Sequence, residues 1–160
     1  MIWQRSHRFD KRAVALADRH YNRQKPGTPQ FMPPGSCRVL VANNNKAVFG
    51  LSFPKAEFVK HAWAGAWVCS IFRNEDAGPL ASQMIRDALA IFQHDYELPA
   101  IGCITFVDPK KVPGILVRGE RVKGFCFMRA GFRAVGETKG GLIAWQLTGA
   151  EMPAPAILLP

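Results

Sequence analysis

The first part of the chain combines a helical pattern with a long polar arm. Apolar residues recur at helical spacing over residues 11–21, and Asp10 in front of them suits a helix N-cap. This pattern predicts a helix that carries His20 and Tyr21 in its last turn. The arm that follows, residues 22–35, is rich in proline and poor in serine, which is typical of a stiff segment rather than a flexible linker.

Three apolar stretches predict strands in the middle of the chain. Two of them, CRVLVAN (37–43) and KAVFGLSF (46–53), flank a polar asparagine turn and predict an antiparallel hairpin. The third, HAWAGAWVCSIF (61–72), has a period of two and ends at Arg73. On that pattern one face carries His61, Trp63, Gly65, Trp67, Cys69 and Ile71. We expect the tryptophans to belong to the core, although aromatic residues beside basic ones also stack on bases.

A second helix and a central strand follow. Pro79 suits the first turn of a helix, because its missing N–H is not needed there. The buried stripe predicted for this helix consists of Leu80, Met84, Ala88, Phe92 and Tyr96. The next strand, residues 100–107, is apolar on both faces, as expected for a strand covered on both sides, and it stops at Asp108.

The C-terminal third predicts short elements. Residues 110–123 read as a basic loop rich in proline and glycine. Residues 125–147 predict a short helical turn ended by Gly131, then a strand, a Lys-Gly-Gly turn and a final strand. Residues 150–160 form an apolar tail, either a strap or a frayed end. The order of elements predicts an α/β fold in one domain spanning residues 1–160.

Length and composition agree with one globular domain. The chain has 160 residues, 48% of them hydrophobic, which suffices for a single core. No apolar stretch is long enough to span a bilayer, and residues 1–12 lack the apolar segment of a signal peptide, so we expect a cytoplasmic protein without a membrane partner.

The four cysteines, Cys37, Cys69, Cys103 and Cys126, are too far apart for a CxxC motif. We expect reduced core thiols, with a zinc site as the alternative.

The net charge narrows the choice of partner. It is +9, from 21 Lys and Arg against 12 Asp and Glu, which favours association with polyanions. Nucleic acid is therefore the first candidate partner, and a purely solubilising charge is the alternative. The sequence leaves a homodimer open.

Four polar residues stand where predicted elements end, namely His20, Tyr21, Arg73 and Asp108. Ligands of open α/β sheets bind beyond the carboxyl ends of the strands, so we predict that these four converge on one site. Each also has a structural alternative. His20 suits a helix C-terminus and Tyr21 a core position, Arg73 can pair with an acidic neighbour, and Asp108 can belong to an ordinary Asp-Pro turn.

Two segments resemble the GNAT acyltransferase fold. FRNEDAGPLASQMIRDAL (72–89) resembles that fold's pyrophosphate-binding strand-to-helix turn, and FMRAGFRAVGE (127–137) resembles its late helix-to-strand segment. The resemblance implies a single-domain α/β fold with a central, mixed, mostly antiparallel sheet flanked by helices. The usual Gln/Arg-x-x-Gly-x-Gly/Ala spacing is absent here, which counts against ordinary acetyl-coenzyme A binding. Arg73, Asn74 and Gly78 are the candidate residues for binding a donor or an anion at this turn.

A narrower resemblance covers roughly residues 17–147. The His20-Tyr21 pair, Arg73 and Asp108 occur in the same order and with similar spacing as in the Mom DNA-modification family of phages and prophages. This resemblance implies an enzyme that converts adenine in double-stranded DNA to N6-(carbamoylmethyl)adenine and so protects the DNA from host restriction. It also implies that His20, Tyr21, Arg73 and Asp108 form the catalytic site.

The same resemblance implies cofactors and partners. The Mom family is associated with iron, and His20, Tyr21 and Asp108 offer nitrogen and oxygen ligands that Fe(II) accepts. The group donor is either glycine-derived or similar to an acyl-coenzyme A. Double-stranded DNA would be bound by basic residues on both sides of the site, namely Arg19, Arg23, Lys25, Lys110, Lys111, Arg118, Arg121 and Lys123.

Two other functions fit the sequence. The first is a conventional GNAT acyl-coenzyme A-dependent N-acetyltransferase that acts on a protein or a small amine. The second is a basic nucleic-acid-binding protein without catalytic activity. Saturable acetyl-coenzyme A binding with unchanged DNA would indicate the first. Salt-dependent DNA binding that survives alanine at His20 and Asp108 would indicate the second.

Overall fold

The computed structural model describes residues 1–159 and has an α/β architecture. Its strands are β1 (Trp3–Ser6), β2 (Cys37–Ala42), β3 (Ala47–Ser52), β4 (Trp67–Asn74), β5 (Cys103–Val107), β6 (Ile115–Val117), β7 (Glu120–Val122), β8 (Arg133–Glu137) and β9 (Ile143–Leu147). Its helices are α1 (Lys11–Asp18), α2 (Ala81–Asp95) and α3 (Phe125–Arg129). Strands β6 and β7 form a separate two-stranded ribbon, and the other strands form one main sheet.

The main sheet is mixed. Its strand order is β1-β2-β3-β4-β5-β9-β8, and within residues 1–159 only β4 and β5 pair in parallel. The other neighbours in this order pair antiparallel. A parallel pair needs a crossover connection, and α2 lies in the connection between β4 and β5. The predicted α/β class with a mixed sheet is therefore confirmed.

Helices cover the two faces of the sheet unequally. On the first face, α2 and α3 pack on a large cluster in which Phe49 and Phe92 are buried with ring centroids 5.9 Å apart. On the second face, α1 contributes Leu16 to a smaller cluster over β2, β3 and β4. The rest of this face is covered by Trp63, which packs on β5 and β9 from a loop. The expected sheet flanked by helices is thus too simple, because a loop replaces a helix over part of one face.

Helix α1 ends earlier than its sequence pattern predicts. Asp10 is its N-cap, as expected. The helix stops at Asp18, so His20 and Tyr21 lie beyond it and not in its last turn. A competing contact explains the early end, since the Asp18 carboxylate accepts a hydrogen bond from the Arg23 guanidinium of the arm at 2.8 Å. This contact draws the chain away from the helix axis.

Strand β4 begins later than predicted and contains a β-bulge. It starts at Trp67, because residues 61–66 form a turn instead of a strand. Opposite β3, Ile71 pairs with Gly50 and Cys69 pairs with Leu51, which leaves Ser70 as an extra residue in β4.

The bulge reverses the alternation of side chains along β4. Cys69 packs in the cluster under α2, whereas Ile71 packs in the cluster under α1. Without the extra residue, the two side chains would lie on the same face. The prediction that residues 61–71 present one continuous face is therefore wrong.

Helix α2 agrees with its prediction except at the start. It begins at Ala81, directly after Pro79 and Leu80. The predicted stripe is buried at Met84, Ala88 and Phe92. Leu80 is 75% exposed because it precedes the helix, so it does not belong to the stripe.

Three short elements differ from the sequence-based expectation. Strand β1 pairs antiparallel with β2 at the edge of the sheet, where no strand was expected. Strand β5 starts at Cys103, later than the predicted residue 100. The ribbon β6–β7 lies inside residues 110–123, which were expected to form an irregular loop.

The C-terminal part follows the prediction. Helix α3 and strands β8 and β9 occur in the expected order, and Gly131 has a φ of 103° just after α3. The Ala156 N–H donates to the Ala90 carbonyl of α2, so the tail is a strap along this helix and not a frayed end. Pro160 lies outside the described residues. No helix in residues 1–159 combines the length and apolar character needed to cross a membrane.

Candidate active site

The parallel strands β4 and β5 pair for only part of their length. Their ladder runs from Trp67–Cys103 to Cys69–Thr105, although both strands continue beyond it. At the last paired position, the Thr105 hydroxyl donates to the Cys69 carbonyl at 2.9 Å. Beyond this point the two strands separate and leave an opening in the sheet.

The bulge at Ser70 accounts for this separation. A bulge bends the strand that contains it, and Ser70 is the first residue of β4 after the ladder with β5 ends. Its hydroxyl oxygen lies 2.7 Å from the Ser52 hydroxyl oxygen on β3. Its carbonyl accepts a hydrogen bond from the Asn22 side chain at 3.0 Å. The bulge therefore joins β4 to β3 on one side and to the arm on the other.

The opening contains a small inner cavity that is partly open and leads to a larger cleft. The inner cavity has a volume of about 140 Å³ and is lined by residues from both strands, from the arm and from α3, among them His20, Tyr21 and Phe127. The outer cleft has a volume of about 310 Å³ and includes Asp108 and Lys111. The two spaces share Tyr21, Asn22, Cys69, Ser70 and Phe106, so they form one continuous site.

Three of the four predicted catalytic residues meet at this site. The rings of His20 and Tyr21 lie with their centroids 4.7 Å apart. The Tyr21 hydroxyl accepts a hydrogen bond from the Asp108 backbone N–H at 3.5 Å. Arg73 lines neither space among the described residues, but its charge acts on His20. The predicted convergence is therefore present for His20, Tyr21 and Asp108, and Arg73 lies close enough for its charge to act on His20.

The environment of His20 favours its neutral form. Burial lowers the pKa of His20 to about 4, and the positive charge of Arg73 contributes to the same direction. The imidazole is therefore unprotonated at neutral pH and has a free nitrogen lone pair. Burial also raises the pKa of Tyr21, so its hydroxyl keeps its proton. Both side chains enter the site without a formal charge.

Arg73 is held by an acidic neighbour, which was the structural alternative for this residue. Its Nε donates to the Glu75 carboxylate at 2.5 Å. Arg19 makes two hydrogen bonds to the same carboxylate, at 2.8 and 2.9 Å. These hydrogen bonds lower the pKa of Glu75 to about 2, and those from Arg19 contribute most. The three side chains form a network that links the end of α1 to the turn after β4.

The turn between β4 and α2 satisfies part of its own polar groups. The Asn74 side chain accepts a hydrogen bond from the Ala77 backbone N–H at 2.9 Å. Gly78 is exposed and has a φ of 117°, which favours glycine there. Helix α2 has no side-chain N-cap within the described residues. The anion- or donor-binding role predicted for Arg73, Asn74 and Gly78 stays a prediction.

The predicted DNA-binding residues fall into two groups. Arg23 has a side chain only 7% exposed and donates to the carbonyls of Thr28 and Gln30, so it folds the arm and does not face a partner. Lys123 donates to two carbonyl groups at the base of the ribbon and also serves the fold. Arg19 is exposed but forms an ion pair with Glu75. Lys25, Lys110, Lys111, Arg118 and Arg121 are exposed and form no ion pair with an acidic side chain in the described part of the chain.

The residues predicted to bind iron do not fit a preassembled metal centre. Among residues 1–159, no three or more His, Cys, Asp or Glu side chains are grouped to hold a metal ion. The Tyr21 hydroxyl is engaged with a backbone N–H, and the charge of Arg73 opposes a cation beside His20. We therefore propose no reaction step that uses iron.

The cysteines do not supply a nucleophile. All four are free in the described chain, as predicted, and Cys69 and Cys126 line the inner cavity. Burial raises the pKa of Cys69 well above its usual value and that of Cys126 to about 11. Both thiols are therefore protonated at neutral pH, and a protonated thiol is a poor nucleophile.

Several residues of the site were not singled out from the sequence. Asn22, Ser70, Thr105 and Phe106 line the opening. Asn22 follows directly on the predicted His-Tyr pair, so its position was a usable signal. Ser70 is the one polar residue within WVCSIF, and a polar residue that interrupts an apolar strand is a cue for a bulge.

Comparison of the chain with protein-family models, with curated proteins and with solved structures gives no match. The function of the site therefore has to follow from its own geometry and chemistry.

Proposed function

We propose that this protein is a Mom-like, GNAT-related transferase that converts adenine in double-stranded DNA to N6-(carbamoylmethyl)adenine and protects phage or prophage DNA from restriction. The observation that carries the proposal is the opening between β4 and β5, where the adjacent residues His20 and Tyr21 meet Asp108, which lies 87 residues after Tyr21 in the chain. A concave site with convergent titratable groups is the usual form of an active site.

The element types of two segments support the GNAT-like part of the proposal. Residues 75–80 connect strand β4 to helix α2, and residues 130–132 connect helix α3 to strand β8. These are the strand-to-helix turn and the helix-to-strand segment on which the resemblance rests. The site also lies where the one parallel strand pair of the described sheet opens, towards the carboxyl ends of its strands.

The two spaces of the site suit two reactants. The inner cavity of about 140 Å³ is small and lined mostly by apolar side chains, so it suits the reactive group of a donor. The outer cleft of about 310 Å³ is open to solvent beside Lys111 and has Tyr21 and Phe106 as aromatic walls. Aromatic walls stack on bases, so the outer cleft suits an adenine that has left the duplex.

His20 and Asp108 are placed to manage the proton of the reaction. The lone pair of adenine N6 is delocalised into the ring, so a base has to remove a proton as the new bond forms. The donor carbon bonds to N6, the donor's leaving group departs with its electron pair, and the N6 proton passes to the base. Neutral His20 is available as that base, and the Asp108 carboxylate at the cleft is the second candidate.

The donor has to supply a two-carbon amide group. The product carries CH2–CO–NH2 on N6, and an activated glycyl donor contains the same atoms in a different connectivity. Attack of N6 on its carbonyl expels the donor's leaving group and gives N6–CO–CH2–NH2, an isomer of the product that then has to rearrange. Simple acetyl transfer would give a different product. The charge of Arg73 acts on His20, and Arg73 would contact a donor carboxylate or phosphate if Glu75 gave up part of its hydrogen bonding to it.

The exposed basic residues support DNA as the partner. Lys110 and Lys111 follow Asp108 directly, and Lys25 lies on the arm close to the residues that line the site. Each contact between a lysine and a phosphate releases counterions, so salt should weaken DNA binding steeply. The double variant Lys110→Gln/Lys111→Gln should bind more weakly and with a smaller salt dependence.

The decisive experiment is nucleoside analysis of DNA from cells that make the protein. Plasmid DNA is digested to nucleosides, and mass spectrometry should find a deoxyadenosine whose mass corresponds to the carbamoylmethyl adduct. His20→Ala and Asp108→Ala should remove the adduct while the proteins stay folded. His94→Ala changes an exposed histidine in the last turn of α2 and serves as the matched control. Only unmodified deoxyadenosine in several hosts, with soluble wild-type protein, would overturn the proposal.

The turn after β4 favours a conventional acyl-coenzyme A-dependent N-acetyltransferase as a second candidate. Helix α2 begins there without a side-chain cap in the described chain, and free backbone N–H groups at a helix N-terminus attract phosphate. Isothermal titration with acetyl-coenzyme A separates the two functions. Saturable binding together with unmodified DNA would favour this candidate over DNA modification.

A further inference from the structure

The β6–β7 ribbon is rooted at the rim of the active site. It follows Asp108, which lines the outer cleft, and it ends at Gly124, which lines the inner cavity. At its neck, Lys123 Nζ donates to the carbonyls of Val112 at 2.5 Å and Pro113 at 3.2 Å. The Lys123 carbonyl accepts a hydrogen bond from the Trp145 indole at 2.9 Å. The neck is therefore fixed relative to the site.

The ribbon has a well-defined turn and an unusual outer face. Its tip residues, Arg118 and Gly119, have φ values of 50° and 84°, the combination of a type I′ hairpin turn. Leu116 pairs directly with Arg121, and directly paired residues share a face. Leu116 is 61% exposed. The outer face thus presents one large apolar side chain beside a guanidinium, with a second guanidinium at the tip.

The charge of this segment indicates the kind of partner. Residues 110–123 contain Lys110, Lys111, Arg118, Arg121 and Lys123 but only one acidic residue, Glu120, for a net charge of +4. A polyanion complements this charge, whereas a second copy of this basic chain does not. An exposed leucine between cations also matches the apolar wedges that proteins insert between base steps.

The dimensions of the ribbon agree with a DNA groove. A strand of three residues spans roughly 10 Å, and the major groove is about 8.5 Å deep and wide enough for a two-stranded ribbon. The major groove is also the groove that displays adenine N6. A ribbon in this groove therefore stands beside the atom that the proposed reaction modifies.

We propose that the β6–β7 ribbon enters the major groove of duplex DNA and that Leu116 wedges against the base step of the target adenine, so that the adenine leaves the stack and enters the outer cleft. This inference rests on the proposed function. Arg118 and Arg121 hold the flanking phosphates, and Leu116 replaces the stacking contact that the flipped base gives up.

The first test measures unstacking without any chemistry. Duplex oligonucleotides carry 2-aminopurine, an adenine analogue whose emission rises when it leaves the stack, in every combination of flanking bases. The wild-type protein should raise the emission of at least one duplex, whereas Leu116→Ala should bind the same duplex with similar affinity and leave the emission low. Ile115→Ala, on the opposite face of the ribbon, is the matched control and should behave as wild type. No rise with wild type, or an equal rise with Leu116→Ala, would overturn the wedge.

The second test uses the reaction itself. Leu116→Ala should lower adenine modification of paired DNA by roughly tenfold to a hundredfold, because the complex would lose the burial of one leucine side chain. It should change the modification of unpaired adenines little. Equal losses on paired and unpaired DNA would overturn the wedge.

If wild-type protein raises 2-aminopurine emission but modifies no DNA, the proposed function fails and the wedge stands. A change from dimer to monomer in Leu116→Ala, with unaltered 2-aminopurine emission, would assign the surface to self-association and overturn the wedge.

Discussion

The buried neutral His20 should make the protein less stable in mildly acidic solution. Its pKa in the folded protein is about 4, against 6.5 for an ordinary histidine. As the pH falls below 6.5, the unfolded chain binds a proton at this imidazole while the folded chain does not, so unfolding becomes easier. The loss is complete only below pH 4, and above pH 7.5 His20 contributes no pH dependence.

The size of this effect follows from the two pKa values. Between pH 7.5 and pH 5.5, linkage gives a loss of about 1 to 2 kcal/mol in the free energy of unfolding. His20→Gln keeps a polar side chain but removes the titration, so it should lose that part of the pH dependence. Other shifted groups, such as Glu75 and His61, are common to both proteins and cancel in the comparison.

The assay is urea unfolding of wild type and His20→Gln at pH 7.5 and pH 5.5. The quantity of interest is the difference between the two proteins in the change with pH. Tyr21→Phe keeps the neighbouring ring and should retain the wild-type pH dependence. If His20→Gln also retains it, His20 is not buried as a neutral group, and its assignment as the base that receives the N6 proton loses its support.

Three further predictions concern single contacts. Gly102→Ala should cost roughly 3 kcal/mol or more, because a Cβ there would overlap the Leu147 carbonyl, whereas Gly27→Ala, at a similar φ with no neighbour, should cost only about 1 kcal/mol. Equal losses in urea unfolding would contradict this geometry. Arg23→Met should open the arm and speed its cleavage by chymotrypsin after Phe31, while Gln24→Met, its exposed neighbour, should not; unchanged cleavage in both would contradict the role of Arg23. Glu75→Gln should lower stability by about 1 kcal/mol, because both Arg19 and Arg73 lose a charged partner, and a loss near zero in urea unfolding would show that solvent screens the network.

Periodicity in the sequence located most of the large elements. The apolar stripe of α2 and the hairpin of β2 and β3 could be predicted because each pattern continues for several turns or residues without interruption. The end of α1 could not, because it depends on the contact between Asp18 and Arg23, which sits in the following arm. Local spacing carries no information on such a contact.

The candidate site was predicted in part. The rule that polar residues gather where strands end brought His20, Tyr21 and Asp108 together, and these three do meet. The opening itself was missed, because a single extra residue, Ser70, creates it, and a bulge leaves only a faint trace in the alternation of side chains. The counter-ion of Arg73 was foreseen as an alternative, but the sharing of Glu75 with Arg19 requires the fold.

The arm has a consequence for the thermodynamics of association. The side chain of Arg23 reaches from Asp18 to Gln30, so the arm is held together by bonds within itself before any partner arrives. A segment that is already ordered adds no folding step to binding, and the heat-capacity change should then reflect only the surface that the complex buries. Encounter with a polyanion would in that case be limited by diffusion and charge rather than by the search of a disordered chain for its bound shape.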